Sequence, residues 1–365
     1  MEPTANPFEK QERRGHVEGD FHYHEVQLAL RQIELPLEAL RYDVTPVGLH
    51  YTLSHFDIPQ VPANGYRLAV DGLVKKPLAL TIDELMALPR VTRRVTLECA
   101  GNGRAGMTPR YPSMPWMYGA AGTAEWTGVR LADVLEQAGL APETKEVVFY
   151  GADRGFDAGV EHCYGRSLTP GDALADDVLL AFAMNGQPLA PQHGFPLRLV
   201  VPGWYGMASV KWLTRIEAID RAFDGYQQAV GYHYRRYAGD PGEPVTHMRV
   251  KSLMAPPGIP DWYTGARMVD RGPAELAGRA WSGGGVAVTR VEVAVDGAWR
   301  DARLDPPPAP HAWQAWRCAW DAVPGEHELM CRATDAAGNV QPLAAEWNTN
   351  GMGNNACHRL RVFVR

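Results

Sequence analysis

The residue best equipped for chemistry is Cys99, within the stretch 93–115, RRVTLECAGNGRAGMTPRYPSMP. A cysteine thiolate is a nucleophile and a soft metal ligand, and either use needs a fixed backbone that leaves the sulfur open on one side. Val95 and Leu97 alternate with Thr96 and Glu98, and β-branched residues dominate, which predicts a strand. The strand breaks at Cys99-Ala100-Gly101-Asn102-Gly103, where small residues allow a tight turn and close approach to a ligand. Arg104 follows closely enough to help hold the sulfur ionised. Free cysteine is also among the most buried residue types, so local chemistry alone weighs a ligand and a core residue evenly.

Two cations further along invite an anion. Arg198 stands among apolar neighbours on a strand bracketed by Pro196 and Pro202, and a charge in such company needs a partner. A phosphate would engage its planar fork bidentately, and so would a carboxylate. Lys211, in Ser209-Val210-Lys211-Trp212, adds a second positive group. Asp153 follows the buried-type strand 147–150 and lies between Gly151 and Gly155, where an aspartate ordinarily serves a turn. His55, beside a Pro-containing turn, reads on pattern alone as structural, and 226–237 reads as an aromatic-rich interface loop.

The segment Cys99-Ala100-Gly101-Asn102-Gly103-Arg104 resembles the hallmark of the sulfite oxidase family of molybdenum enzymes, a strand ending in Cys-Ala-Gly-Asn-x-Arg. The resemblance continues in order through Leu131-Ala132-Asp133-Val134-Leu135, Met184-Asn185-Gly186-Gln187-Pro188-Leu189 and His193-Gly194-Phe195-Pro196-Leu197-Arg198. It then passes Val201-Pro202-Gly203, Val210-Lys211-Trp212, Ser282-Gly283-Gly284-Gly285, Asn339-Val340-Gln341-Pro342 and Trp347-Asn348, covering most of 45–365.

That resemblance implies a molybdenum–molybdopterin cofactor with Cys99 as the protein's metal ligand. It implies oxidation of sulfite to sulfate, with electrons passed to an external acceptor such as a cytochrome. Cofactor contacts are implied at Tyr51, Thr52, Leu53, Ser54 and His55, at Asp153 and His193, and at Arg198, Ser209, Val210 and Lys211. Catalytic roles are implied for Cys99, Arg104 and Trp116, although Trp116 on sequence alone reads equally as core packing. The family also places a tyrosine followed by a basic residue by the metal. Tyr234-Arg235 is the best match, with Tyr232 and Tyr237 near enough for the register to slip. There is no Cys-x-x-Cys-His, and the stretch ahead of the matching region is short, so no haem is expected. The family dimerises through its C-terminal domain, and a homodimer is expected here.

The pattern departs from the family around the substrate. Leu53 stands where the family has a sulfite-binding arginine, Asn350 where another is usual, and Gly103 replaces a frequent basic residue. Each lost cation weakens the hold on a dianion by about 1.5–3 kcal/mol unless another takes its place. Arg110, Arg235, Arg236 and Arg267 are the candidates to do so. Sulfite is the first expectation, another sulfur oxyanion or a sulfoxide the second, and a cofactor-free binding scaffold the third.

The elements that must position these residues suggest an α+β chain in three parts. A polar N-terminal arm, 1–40, carries a weak helical pattern at Val26, Leu28, Leu30 and Ile33. The molybdopterin-binding domain implied by the resemblance, 41–245, has mixed sheets and short helices. Thr81-Ile82-Asp83-Glu84 fits a capping box opening a helix through Leu88, and Leu131, Val134, Leu135 and Ala138 recur at helical spacing until Gly139 closes that helix. Prolines 241, 244, 256, 257 and 260 mark 240–265 as a linker. Residues 246–365 then alternate at Val291/Val293/Val295, Leu329/Cys331/Ala333 and Leu360/Val362/Val364, with a hairpin turn at Asp296-Gly297. Such short strands predict an immunoglobulin-like sandwich. Cys318 and Cys331 are expected on neighbouring strands as thiols, since five widely spaced cysteines fit neither a disulfide framework nor a zinc site.

A net charge of −6, from 36 basic and 42 acidic residues, argues against general nucleic-acid binding. No apolar run approaches the ~20 residues needed to span a membrane. The first 20 residues lack an apolar signal core, and no hydrophobic segment follows the pair Arg13-Arg14. A cytoplasmic protein is expected, or a periplasmic one if a leader has been removed.

Overall fold

The computed structural model describes residues 21, 23–157, 159–262 and 264–365. The fold is α+β, with short helices on mixed sheets and an all-β C-terminal part. One five-stranded sheet runs in the order Leu78–Leu80, Leu68–Gly72, Leu213–Ile219, Glu146–Asp157, Val160–Leu168. A second contains Arg90–Glu98, Ala121–Arg130, Leu179–Met184 and Gln187–Pro188, with Arg198–Val200 pairing Leu179–Met184. The helix Leu131–Ala138 lays Leu131, Val134, Leu135 and Ala138 into the core shared by both sheets, and Gly139 ends it at φ 69°. Thr81 and Glu84 form the reciprocal capping box of the helix Ile82–Met86.

The C-terminal part packs a four-stranded sheet on a six-stranded one around Leu276, Val291, Val293, Trp316, Leu329 and Val362. Asp296 and Gly297 both take positive φ, 49° and 82°, the left-handed pair that a two-residue hairpin turn requires. Cys318 and Cys331 are buried free thiols, but they lie in opposite sheets, because the chain changes sheet between Gln314–Ala322 and Gly325–Asp335. The Pro-rich stretch also differs from expectation. Within it Lys251–Ala255 is a strand antiparallel to Gly272–Trp281, with Lys251 to Met254 buried. Its prolines lie outside that strand, with Pro244 and Pro260 at the ends of short two-residue pairings.

In the arm, Tyr23–Ala29 is helical, while the Arg13-Arg14 pair lies outside the described residues. A further apolar cluster joins the two parts through Leu35, Tyr205, Tyr232, Trp281, Trp313 and Met352. No helix among the described residues is long and apolar enough to cross a membrane.

Candidate active site

The strand Arg90–Glu98 delivers Cys99 to the point where two cavities meet. Its N–H is held by Ala120 O at 2.8 Å, and its carbonyl accepts from Asn102 N at 2.9 Å. Asn102 closes the loop with its side chain, accepting from Ala120 N at 3.1 Å and donating to Glu98 at 3.1 Å. Gly101 is needed for space, since a Cβ there would sit 2.6 Å from the Arg104 guanidinium. A narrow cleft and a wider chamber share Leu53, His55, Cys99 and Tyr232. Burial pushes the Cys99 thiol up, while the Arg104 charge and the Trp116 indole N–H favour its thiolate.

The cleft collects Tyr51, Thr52, Leu53, His55, Asp153, His193, Arg198, Ser209 and Lys211 from four separate stretches of chain. Ser54 faces the chamber instead, and Val210 lies in the sheet core. Val210 therefore packs the cleft wall rather than lining it.

The cleft's cations have only neutral partners. Arg198 donates to His193 O and Ser209 O, each at 3.1 Å, and its guanidinium lies 4.7 Å from the Trp126 ring centre. Lys211 donates to Leu53 O at 2.8 Å, Gln192 O at 2.9 Å and Ser54 Oγ at 3.3 Å. Among the described residues no carboxylate comes within ion-pairing distance of either. Burial, then repulsion from Arg198, lowers Lys211 to about 7. Burial raises Asp153 to about 6 against the pull of Lys211. Burial likewise lowers His55 and His50 to about 4 and His193 to about 3, so all three imidazoles are neutral at pH 7.

The chamber is walled by Trp116, Met114, Tyr226 and Phe156, with Arg104, Arg235, Asp157, Gln227 and Asn350 as its polar lining. Arg104 donates to Asn350 O at 3.0 Å and to Met114 O at 2.9 Å. Asn350 in turn donates to Gly231 O at 3.2 Å, tying Arg104 to the segment that carries Tyr232. Of the four replacement arginines, Arg235 alone lines the chamber. Arg110 forms a buried ion pair with Glu25, Arg267 pairs with Glu38 at 3.0 Å, and Arg236 lines a separate groove.

The tyrosine register also slips. The π-helical turn Gln227–Gly231 brings Tyr232 into the junction of the cavities, where its hydroxyl lies 2.9 Å from His55 Nε2. Tyr234 is carried away by the short pairing of His233–Tyr234 with Glu243–Pro244, and stacks under Arg249 at 4.6 Å. Three side chains that sequence reasoning missed stand at the site, His50 and Tyr164 in the cleft lining and Arg166 behind Tyr232. His50 lies 5.5 Å from the His193 ring centre, and Tyr164 lies 4.9 Å from that of His55. The buried Arg166 sits 5.5 Å from the Tyr232 ring centre and donates to Gln227 O at 2.6 Å. Tyr164 and Arg166 stand two positions apart within the last five residues of Val160–Leu168, all of them buried, so no alternation in the sequence marked them.

This donor set suits a bound anionic cofactor. Two buried cations with neutral partners in a narrow cleft fit a phosphate. Among the described residues no three His, Cys, Asp or Glu side chains converge, so a metal at Cys99 would take its remaining ligands from a non-protein group.

Family models extend the picture. Residues 55–227 match the oxidoreductase molybdopterin binding domain, and 244–365 match the Mo-co oxidoreductase dimerisation domain. The chain is 37% identical over 347 residues to human mitochondrial sulfite oxidase, covering 88% of this chain and 62% of that one. It is 38% identical over 343 residues to chicken sulfite oxidase, covering 87% and 72%, and 35% identical over 355 residues to barley nitrate reductase [NAD(P)H], covering 88% and 39%. Among solved structures it resembles the sulfane dehydrogenase SoxCD from Paracoccus pantotrophus, at 30% identity and a TM-score of 0.78, over 95% of this chain and 91% of that one.

Proposed function

The chain belongs to the sulfite oxidase family of molybdopterin oxidoreductases, and from that premise we propose that it oxidises sulfite to sulfate and passes the electrons to an external acceptor. The observation that carries the reading is the meeting of the cation-lined cleft and the chamber at Cys99. Arg198 and Lys211 would hold the cofactor phosphate, His193 and Asp153 would hydrogen-bond the pterin, and Cys99 would ligate the metal. Bound molybdenum supplies the oxygen-atom transfer and the two-electron redox change.

The protein's own groups bind and orient the substrate. Arg104 places a positive charge beside Cys99 and draws the anion to it. Trp116 and Met114 exclude water from one wall. Burial drives Tyr232 well above the usual phenol range, so its hydroxyl keeps a proton to donate, while His55 stays neutral as its partner. A homodimer through the C-terminal domain is part of this reading, supported by the dimerisation model over 244–365.

A second reading, another sulfur oxyanion or a sulfoxide, is favoured by the chamber itself. Leu53 and Asn350 place no cation there, and Asp157 adds a carboxylate. The test is sulfite-dependent reduction of ferricyanide by molybdenum-loaded protein, titrated in sulfite. Saturable turnover, with KM above that of relatives retaining both arginines, is the expected result. No turnover with molybdenum present moves the assignment to the second reading.

A further inference from the structure

The carboxylate that immediately precedes the metal ligand is held by the other half of the chain. Glu98 is fully buried at the end of its strand. Successive residues of a strand face opposite ways, so while Cys99 opens on the cleft, Glu98 turns toward the C-terminal part. There it receives a hydrogen-bonded ion pair from Lys251, the Trp281 indole N–H at 2.9 Å and the Asn102 amide at 3.1 Å. Lys251 and Trp281 face each other across one antiparallel pair, so one strand register sets both donors. The other side of the loop is held by 350–354, through Gly353 N to Ala100 O at 2.7 Å and Asn354 Nδ2 to Gly103 O at 2.8 Å.

A buried ion pair adds little stability over well-packed apolar residues, so its presence beside a metal ligand calls for another role. In a water-poor interior a charge acts over several ångströms, and Glu98 is the residue next to Cys99 in the chain.

We infer that Glu98 and Lys251 are positioning residues that set the electron affinity of a metal held by Cys99, so that the C-terminal part helps define the redox centre as well as assembly. The inference rests on the proposed function. With the pair intact the two charges offset each other. Glu98→Gln leaves a positive charge, which favours the electron-rich reduced metal and raises its midpoint potential. Lys251→Met leaves a negative charge and lowers it. The double variant, Glu98→Gln with Lys251→Met, returns toward the wild-type value.

The experiment is an EPR-monitored redox titration of molybdenum in the holoprotein and these variants. Trp281→Phe is added because it removes a neutral donor from the carboxylate and is expected to give a smaller downward shift, even if Lys251→Met does not fold. Opposite-signed shifts for Glu98→Gln against Lys251→Met or Trp281→Phe support the pair's role. Shifts of one sign, unchanged potentials, or loss of metal from folded variants overturn it. Wild-type protein without a molybdenum signal overturns the proposed function, and the inference with it.

Discussion

In the C-terminal sandwich Glu292 accepts two hydrogen bonds from Arg332, at 2.7 and 3.0 Å, whereas in the cleft Arg198 and Lys211 donate only to neutral oxygens. Both regions take charge out of water. The sandwich closes its account internally, since Glu292 also meets Arg290 at 3.1 Å, and Asp335 accepts from Ser282 and Asn339. The cleft keeps a positive excess facing a cavity. Desolvated charge without a counter-ion is costly, so its persistence marks a place where a ligand supplies the missing charge.

Variants that separate the two regions test this contrast. The largest expected effect is at the junction. Cys99→Ser should abolish turnover while pterin is retained, a loss well beyond the ~10–100-fold typical of an outer-shell metal partner. Pterin fluorescence after denaturation, alongside the ferricyanide assay, reads both quantities. In the sandwich, Trp316→Ala should cost about 3–5 kcal/mol of stability in urea unfolding, because Trp316 is fully buried in the sandwich core. Pterin retention in the fraction that stays folded should not change, and a selective loss of cofactor would break the division.

Arg198→Met should do the reverse. It should weaken cofactor retention about 10–100-fold through loss of charge-assisted hydrogen bonds, measured by pterin release during dialysis. Leu53→Arg adds a cation to the chamber wall and should lower KM for sulfite about tenfold, with kcat little altered, if sulfite is the substrate. An unchanged KM would favour the second reading.

The smallest effect is a pH slope. Lys211 falls to about 7 in the fold, below the 10.5 of an unperturbed lysine. Above pH 7 the unfolded chain therefore binds the proton more tightly than the folded one. The stability of cofactor-free protein should rise by about 1 kcal/mol between pH 7 and 8 from this group. Lys211→Met should remove that rise in paired urea titrations at the two pH values.

Much of the site was legible because its chemistry is local. A strand running into small residues places Cys99 at a lip whatever the rest of the chain does. The Thr81 capping box, the Gly139 helix end and the Asp296-Gly297 turn are likewise decided within a few residues. Where reading failed, the deciding contacts were distant in sequence. Tyr232 and Tyr234 differ by two positions in one aromatic run, and only a π-helical turn and a short strand pairing choose which reaches His55. Arg110 and Arg267 looked available for an anion, yet each is paired with a carboxylate from the N-terminal stretch. Lys251 lay in what read as a linker, because proline content outweighs a five-residue strand in any local window.

The amino-acid sequence by itself determined the family, the order of elements, and the identity of Cys99, Arg198 and Lys211 as groups with chemistry to do, since motif spacing and backbone propensity are properties of neighbouring residues. Tertiary structure alone decided which charges are paired, which tyrosine meets the cleft, and that the C-terminal part reaches Glu98. Burial, ion pairing and hydrogen bonding across 153 positions from Glu98 to Lys251 depend on where the chain returns in space.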